Sequence, residues 1–214
     1  MAFRCKSSRS RCGLATGVVL CLAACTGGFR SDQPPAQAYV LRVAPTRAEA
    51  LPQRVSLQVA RPLPHPGLES DRIVVLRSDR RLDHLASSRW AADVPELIEA
   101  LAVDTLRRGG AFSAVHDSFG GFAPDYVLRI TIRRFDADYT TGNGAPRVLV
   151  ALDCVLGRRG GSEVLASFSA EGTMDAEANR VGSLVAAFEA AAATALESMA
   201  NGIYAALRAA KAEG

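Results

Sequence analysis

Residues 126–171 read YVLRITIRRFDADYTTGNGAPRVLVALDCVLGRRGGSEVLASFSAE, and this stretch decides the fold. Leu128, Ile130 and Ile132 alternate with Val127, Arg129 and Thr131, the period of two that belongs to a half-buried strand. The phase slips at Arg133-Arg134-Phe135, which predicts a bulge. Thr140-Thr141-Gly142-Asn143-Gly144 is a hairpin loop. In the next segment Val148, Val150, Leu152, Cys154 and Leu156 share one face. Arg158-Arg159-Gly160-Gly161 forms the second turn, and Val164, Ala166, Phe168 and Ala170 face inward on a third strand. The three segments are an antiparallel meander with one apolar face, and that face needs a cover.

The cover lies C-terminal to the meander. Val181, Val185, Phe188, Ala192, Ala195, Met199 and Ile203 recur near a 3.6 period, so residues 181–211 are predicted as one long helix. At ~1.5 Å per residue it reaches about 45 Å and crosses the whole sheet. Gly202 marks a place where it can bend.

On the N-terminal side, residues 39–43, 54–60 and 71–77 are strand candidates, the second with Val55, Leu57 and Val59 on one face. Pro62, Pro64, Pro66 and Gly67 make a loop. Residues 80–85 continue the third strand after a turn. Asp93 is placed to cap a helix with Pro95 in its first turn and Leu97, Ile98, Leu101, Ala102, Thr105 and Leu106 on its apolar face. Gly109-Gly110 ends it. Residues 112–117 are a weak strand. The expected class is α+β: a mostly antiparallel sheet of about seven strands with two helices on one face, the C-terminal one long.

Catalytic patterns are missing. His65, His84 and His116 share no ligand spacing. The chain has no G-x-S-x-G, P-loop or G-x-G-x-x-G pattern, so a hydrolase has no nucleophile and base that can be named. Asp136 and Asp138 form a carboxylate pair that reads as strand surface. The arginine doublets at Arg80, Arg107, Arg133 and Arg158 lie at element ends and read as solvated surface rather than a phosphate groove. Cys154 shares its phase with Val150 and Leu152 and reads as an inert core thiol. No metal, cofactor or nucleic acid is expected.

The first residues have a different plan. Arg4, Lys6, Arg9 and Arg11 form a basic run, and the apolar run from Gly13 to Ala24 is shorter than the ~20 residues a bilayer span needs. This is a secretory signal. Its end, Leu22-Ala23-Ala24-Cys25, resembles a bacterial lipobox, which implies that residues 1–24 are removed and that the thiol of Cys25 receives a diacylglyceryl group. Two or more acyl chains, each buried methylene contributing ~0.8 kcal/mol, anchor a protein stably. The signal holds four of the 25 basic residues and none of the 22 acids, so the mature chain is near neutral. The basic pI therefore says nothing about nucleic acid. Cys5, Cys12 and Cys21 leave with the signal, so Cys154 has no disulfide partner once Cys25 is acylated. Residues 25–38, with Gly27-Gly28 and Pro34-Pro35, read as a tether, and residues 39–214 as one domain.

Several pieces in order carry a family resemblance: Tyr39-Val40-Leu41, Ser70-Asp71-Arg72-Ile73-Val74, Arg81-Leu82, Arg89-Trp90-Ala91, Asp125-Tyr126-Val127-Leu128 and Phe168, followed by the Ala-rich final helix. Together they resemble the ABC-type transport auxiliary lipoprotein family, found with MCE-domain lipid transporters of Gram-negative bacteria. The chain departs from that pattern at Val75, at His84-Leu85 and in a last helix without tryptophan. The resemblance implies a non-enzymatic lipoprotein anchored in the outer membrane and facing the periplasm. Thr26, where Asp would stand for inner-membrane retention, fits that sorting. It also implies partners: an MCE protein that bridges the periplasm, with an inner-membrane permease and ATPase. The lipoprotein would dock or cap the bridge.

From the residues themselves, Arg89 and Trp90 are the candidate partner contacts. The chain's one tryptophan follows an arginine just before the first helix, in what reads as a loop. Such a pair is either a plug in the sheet–helix seam or a docking anchor. Sheet edges near Tyr39 or in the meander are further candidates for a partner strand, and a homo-oligomer stays open. The competing reading is a lipid carrier that holds acyl chains between helix and sheet. Phe168, Phe188 and Met199 argue for a filled seam there.

Overall fold

The meander forms as its alternation dictates. In the computed structural model, which describes residues 35–43, 54–120, 123–140, 142, 144–160 and 163–212, Tyr126–Asp138 pairs antiparallel with Arg147–Arg158, and that strand with Val164–Asp175. In chain order the strands are β1 (Gln37–Tyr39), β2 (Ser56–Val59), β3 (Leu63–Pro64), β4 (Arg72–Leu76), β5 (Leu82–Trp90), β6 (Ala114–His116), β7 (Tyr126–Asp138), β8 (Arg147–Arg158) and β9 (Val164–Asp175). The helices are α1 (Val94–Arg108) and α2 (Val181–Ala212).

The sheet corrects the expectation of about seven mostly antiparallel strands. It has nine strands and is mixed. One side of β7 pairs with β8. The other side takes three short strands in turn, all parallel to it: β2 at Tyr126–Leu128, β3 at Thr131–Ile132 and β4 at Asp136–Asp138. Beyond them β6 pairs parallel with β2, β5 antiparallel with β4, and β1 parallel with β5. Period-two alternation reports which face is buried and carries nothing about the direction of a neighbour. The proline-rich segment read as loop contributes β3. Pro64 is tolerated there because the strand is only two residues long and pairs with β7 alone.

The predicted bulge is present, as a register shift between Ile132 and Arg134. A second, unexpected one sits in β5. Arg72 faces Arg89 but Val74 faces His84, so β5 carries the extra residues, and Ser87 takes a left-handed φ of 53°. Before the bulge Asp83 and Leu85 are the half-buried positions; after it Ser88 and Trp90 are buried. The bulge therefore turns Trp90 inward.

Both helices arise where expected. Val94, Leu97, Ile98, Leu101, Ala102 and Leu106 of α1 are buried. Asp93 holds the cap position, but its carboxylate makes no cap hydrogen bond; the Leu97 N–H bonds to the Asp93 carbonyl at 2.9 Å. Helix α2 buries one face along its whole length, from Ser183 and Leu184 to Leu207. Its length and apolar composition suffice for a membrane span, but the burial pattern is that of a core helix.

Ala191, Ala192 and Ala195 are fully buried, and α2 approaches β9 so closely that a Cβ on Gly172 would stand 1.9 Å from the Ala191 carbonyl oxygen. The third strand departs from its expected face at its start. Val164 is 57% exposed and Phe168 half-buried. A register shift opposite Gly157 displaces the first residues of β9.

Cys154 lies in the core at 0% exposure, and burial pushes its thiol up to about 12. A polar thiol reagent should therefore label the native protein slowly and the unfolded chain fast. Rapid native labelling would place residue 154 on the opposite face of β8, since a one-residue slip reverses every side chain.

Candidate functional site

Trp90 ends β5 at 0% exposure. Its ring meets Phe135 of β7 edge-on at 5.8 Å between centroids and Phe188 of α2 at 5.1 Å, and those two rings lie 5.0 Å apart. One tryptophan thus joins two strands of the sheet to the long helix. Its backbone N–H bonds to the Asp71 carbonyl at 2.7 Å, and the next N–H, of Ala91, to the Tyr39 carbonyl at 2.9 Å. The indole Nε1 has no hydrogen-bond partner. The segment is strand rather than loop, and Trp90 fills the seam.

Arg89 points the other way. Its side chain is 48% exposed and its Nη1 lies 2.9 Å from Asp71 Oδ2. An ion pair this exposed contributes ~0–1 kcal/mol. The structure therefore divides the Arg-Trp pair between surface and core. Leu22, Ala23, Ala24 and Cys25, the lipidation residues, lie outside the described residues.

The polar clusters of the described residues include ion pairs and hydrogen-bonded carboxylates. Arg134 holds both carboxylates of the Asp136–Asp138 pair: Nη2 is 2.6 Å from Asp136 Oδ2 and 3.4 Å from Asp138 Oδ2. Asp136 is only 5% exposed, so it is buried and paired rather than strand surface. Arg133 bridges Asp153, at 2.9 Å, and Glu171 across the three strands of the meander, and Ser169 Oγ donates to Asp153 at 2.6 Å. Asp125 accepts from the Ser56 backbone N–H at 2.7 Å and from its hydroxyl at 2.8 Å. These bonds hold its carboxyl below the usual range and tie β2 to the start of β7. Among the described residues no three His, Cys, Asp or Glu side chains are grouped to hold a metal ion.

One grouping is invisible in the sequence. Arg54, Arg158 and Lys211, far apart in the chain, line a common hollow with Tyr126 at one end of the sheet. Of the arginine doublets read as scattered surface only Arg158 lies here; it meets Arg54 and Lys211 because parallel pairing brings β2 alongside β7 and α2 ends over β9.

The architecture is a large mixed sheet with a long helix sealed onto it by aromatic and alanine contacts. The chain belongs to the family of the ABC-type transport auxiliary lipoprotein component, whose model matches residues 39–200. Among solved structures it is similar to protein XCC0632 from Xanthomonas campestris, with 25% identity and a TM-score of 0.74 over 82% of this chain and 99% of that one. It is also similar to an uncharacterized protein, at 14% identity and a TM-score of 0.58 over 80% of this chain and 99% of that one. No curated protein matches it.

Proposed function

We propose that the protein is a periplasmic lipoprotein anchored in the outer membrane through Cys25, and that it serves, without catalysis, as the auxiliary component of an ABC/MCE-type intermembrane lipid transporter. In this reading it docks or caps the MCE protein that bridges the periplasm, and the permease and ATPase lie in the inner membrane. The observation that carries the reading is the family match over 39–200, which follows a stretch at 22–25 that resembles a lipobox. Arg89 is proposed as a docking contact, held at the surface by Asp71 and by the end of the strand that Trp90 pins beneath it. The lipid-carrier alternative finds less support, because Phe188 and Met199 at 0% exposure fill the centre of the helix–sheet seam.

The anchor is tested by Cys25→Ser. The variant should take up no labelled palmitate and leave the outer-membrane fraction, either as soluble protein or with its signal uncleaved. Labelling and fractionation equal to wild type would end the lipoprotein reading.

A further inference from the structure

The hollow that Arg54, Arg158 and Lys211 share measures about 450 Å3. Beside the three cations and Tyr126 its walls are Val55, Leu207 and Ala210, with no carboxylate among them. The ion pairs of the described residues run through other arginines, among them Arg89, Arg133, Arg134 and Arg147. None takes up Arg54, Arg158 or Lys211. The C-terminal dipole of α2 offsets part of one charge, that of Lys211 in its last turn. The rest is mutual repulsion between like charges that the fold brings together, and an anion from outside the chain relieves it.

A second hollow, of about 670 Å3, adjoins the first. Val55, Tyr126 and Arg158 line both, so the two make one elongated trough past the start of β7 and the end of β8. Arg158 stands where they meet, its guanidinium carbon 6.0 Å from the centre of the Tyr126 ring. Arg159 lines the second hollow. The cations therefore follow one another along the trough, between apolar walls that a free inorganic anion leaves unused. Two acids narrow the choice further. Asp125, in the second hollow, is held ionised by the Ser56 N–H and hydroxyl at 2.7 and 2.8 Å. Glu163 lines other hollows that Arg158 borders. A phosphate monoester, with a charge of about −1.5 to −2, meets more repulsion from these acids than a carboxylate does. Single carboxylates spaced along an extended peptide, with short aliphatic side chains between them, match both the charge and the shape.

We infer that this trough is a docking site for an acidic, extended segment of a partner protein, its carboxylates paired with Arg54, Arg158 and Lys211 and its aliphatic side chains resting on Val55 and Leu207. Arg89 does not line the trough, so this is a second contact surface. The inference deepens the proposed docking role and rests on it for its biological sense. Its test contains no transporter component, so failure here and failure to recover an MCE protein are separate results.

The full-length lipidated protein, in a fixed non-ionic detergent, is titrated against a short fluorescent peptide of alternating glutamate and alanine, and binding is read by anisotropy. Saturable binding that weakens as sodium chloride is raised is expected. Arg158→Gln and Lys211→Gln, both at exposed positions, should each weaken it about fivefold, the upper range for an ion pair at an exposed site. Arg61→Gln, which removes an exposed arginine outside the trough, should leave it unchanged. A melt of each variant accompanies the titration, and Lys211→Gln at the helix end carries the test if Arg158→Gln melts early. Absence of saturable binding, equal binding of the counterpart peptide with glutamine for glutamate, or an equal loss with Arg61→Gln would overturn the site. Displacement of the peptide by inorganic phosphate at equal concentration would also overturn it, as a free-anion site. Displacement by phosphatidylglycerol added to the micelles would overturn it as a membrane-facing patch.

Discussion

Trp90→Ala is expected to cost about 3–5 kcal/mol, the scale of truncating a fully buried aromatic side chain. A domain of this size has only ~5–15 kcal/mol in total, so the variant should melt far below wild type or not fold. The magnitude follows from position. Trp90 is the sole side chain in contact with both Phe135 and Phe188 among the aromatic pairs described, so its loss opens a cavity where strand β5, strand β7 and helix α2 meet. Trp90→Phe separates volume from polarity. It leaves a smaller void and also removes an indole N–H that is buried without a partner, a defect of the kind that costs ~1–3 kcal/mol. It should therefore fall well short of the alanine cost. Arg89→Ala should hardly move the melt, given its exposed ion pair, and should weaken partner binding. A Trp90→Ala protein with wild-type stability and no partner binding would reassign the tryptophan from plug to anchor.

Gly172→Ala is the second large effect and works in the opposite sense, by adding matter. The new Cβ would sit 1.9 Å from the Ala191 carbonyl oxygen and 2.9 Å from the Ala191 carbonyl carbon and the Ala195 nitrogen. These are backbone atoms of a helix interior, so no rotamer change relieves the overlap and α2 must lift from β9 or shift along it. Overpacking of this kind costs ~1–3 kcal/mol and occasionally more, and a backbone–backbone clash belongs at the upper end. A thermal or urea melt of Gly172→Ala checks it. An unchanged midpoint would mean that α2 does not seat on β9 at this distance. By contrast Gly144→Ala, where nothing lies within 4 Å, should be near neutral.

The same contacts explain what could be read from the residues alone. The meander and α2 were legible because each has one buried face and a sustained period, two in β7–β9 apart from the slip at Arg133 and the displaced start of β9, and 3.6 in α2. Gly172 was not, because a glycine in a strand gives no phase, and its role depends on a helix that passes over it. Strand direction was lost for a similar reason. The alternation of β2 is the same whether its neighbour runs parallel or antiparallel, β4 is buried on both faces, and β3 hides among prolines. Trp90 was recognised as a plug or an anchor but placed in a loop, since the bulge at Ser87 interrupts the alternation of β5 and masks its last residues. The Arg158 end was illegible for a topological reason: Arg54, Arg158 and Lys211 belong to three different parts of the chain.

The central claim is that this lipoprotein engages the periplasm-spanning partner of an ABC transport system. The most direct measurement is co-purification of the full-length lipidated chain from detergent-solubilised envelopes, with the recovered proteins identified by mass spectrometry and Arg89→Ala run beside wild type. The account predicts that an MCE-domain protein, with its permease and ATPase, is recovered with wild type and is reduced about tenfold or more with Arg89→Ala, the scale of a contact worth ~1.4 kcal/mol or more. Recovery of a correctly lipidated, folded protein with no MCE-domain protein would contradict it.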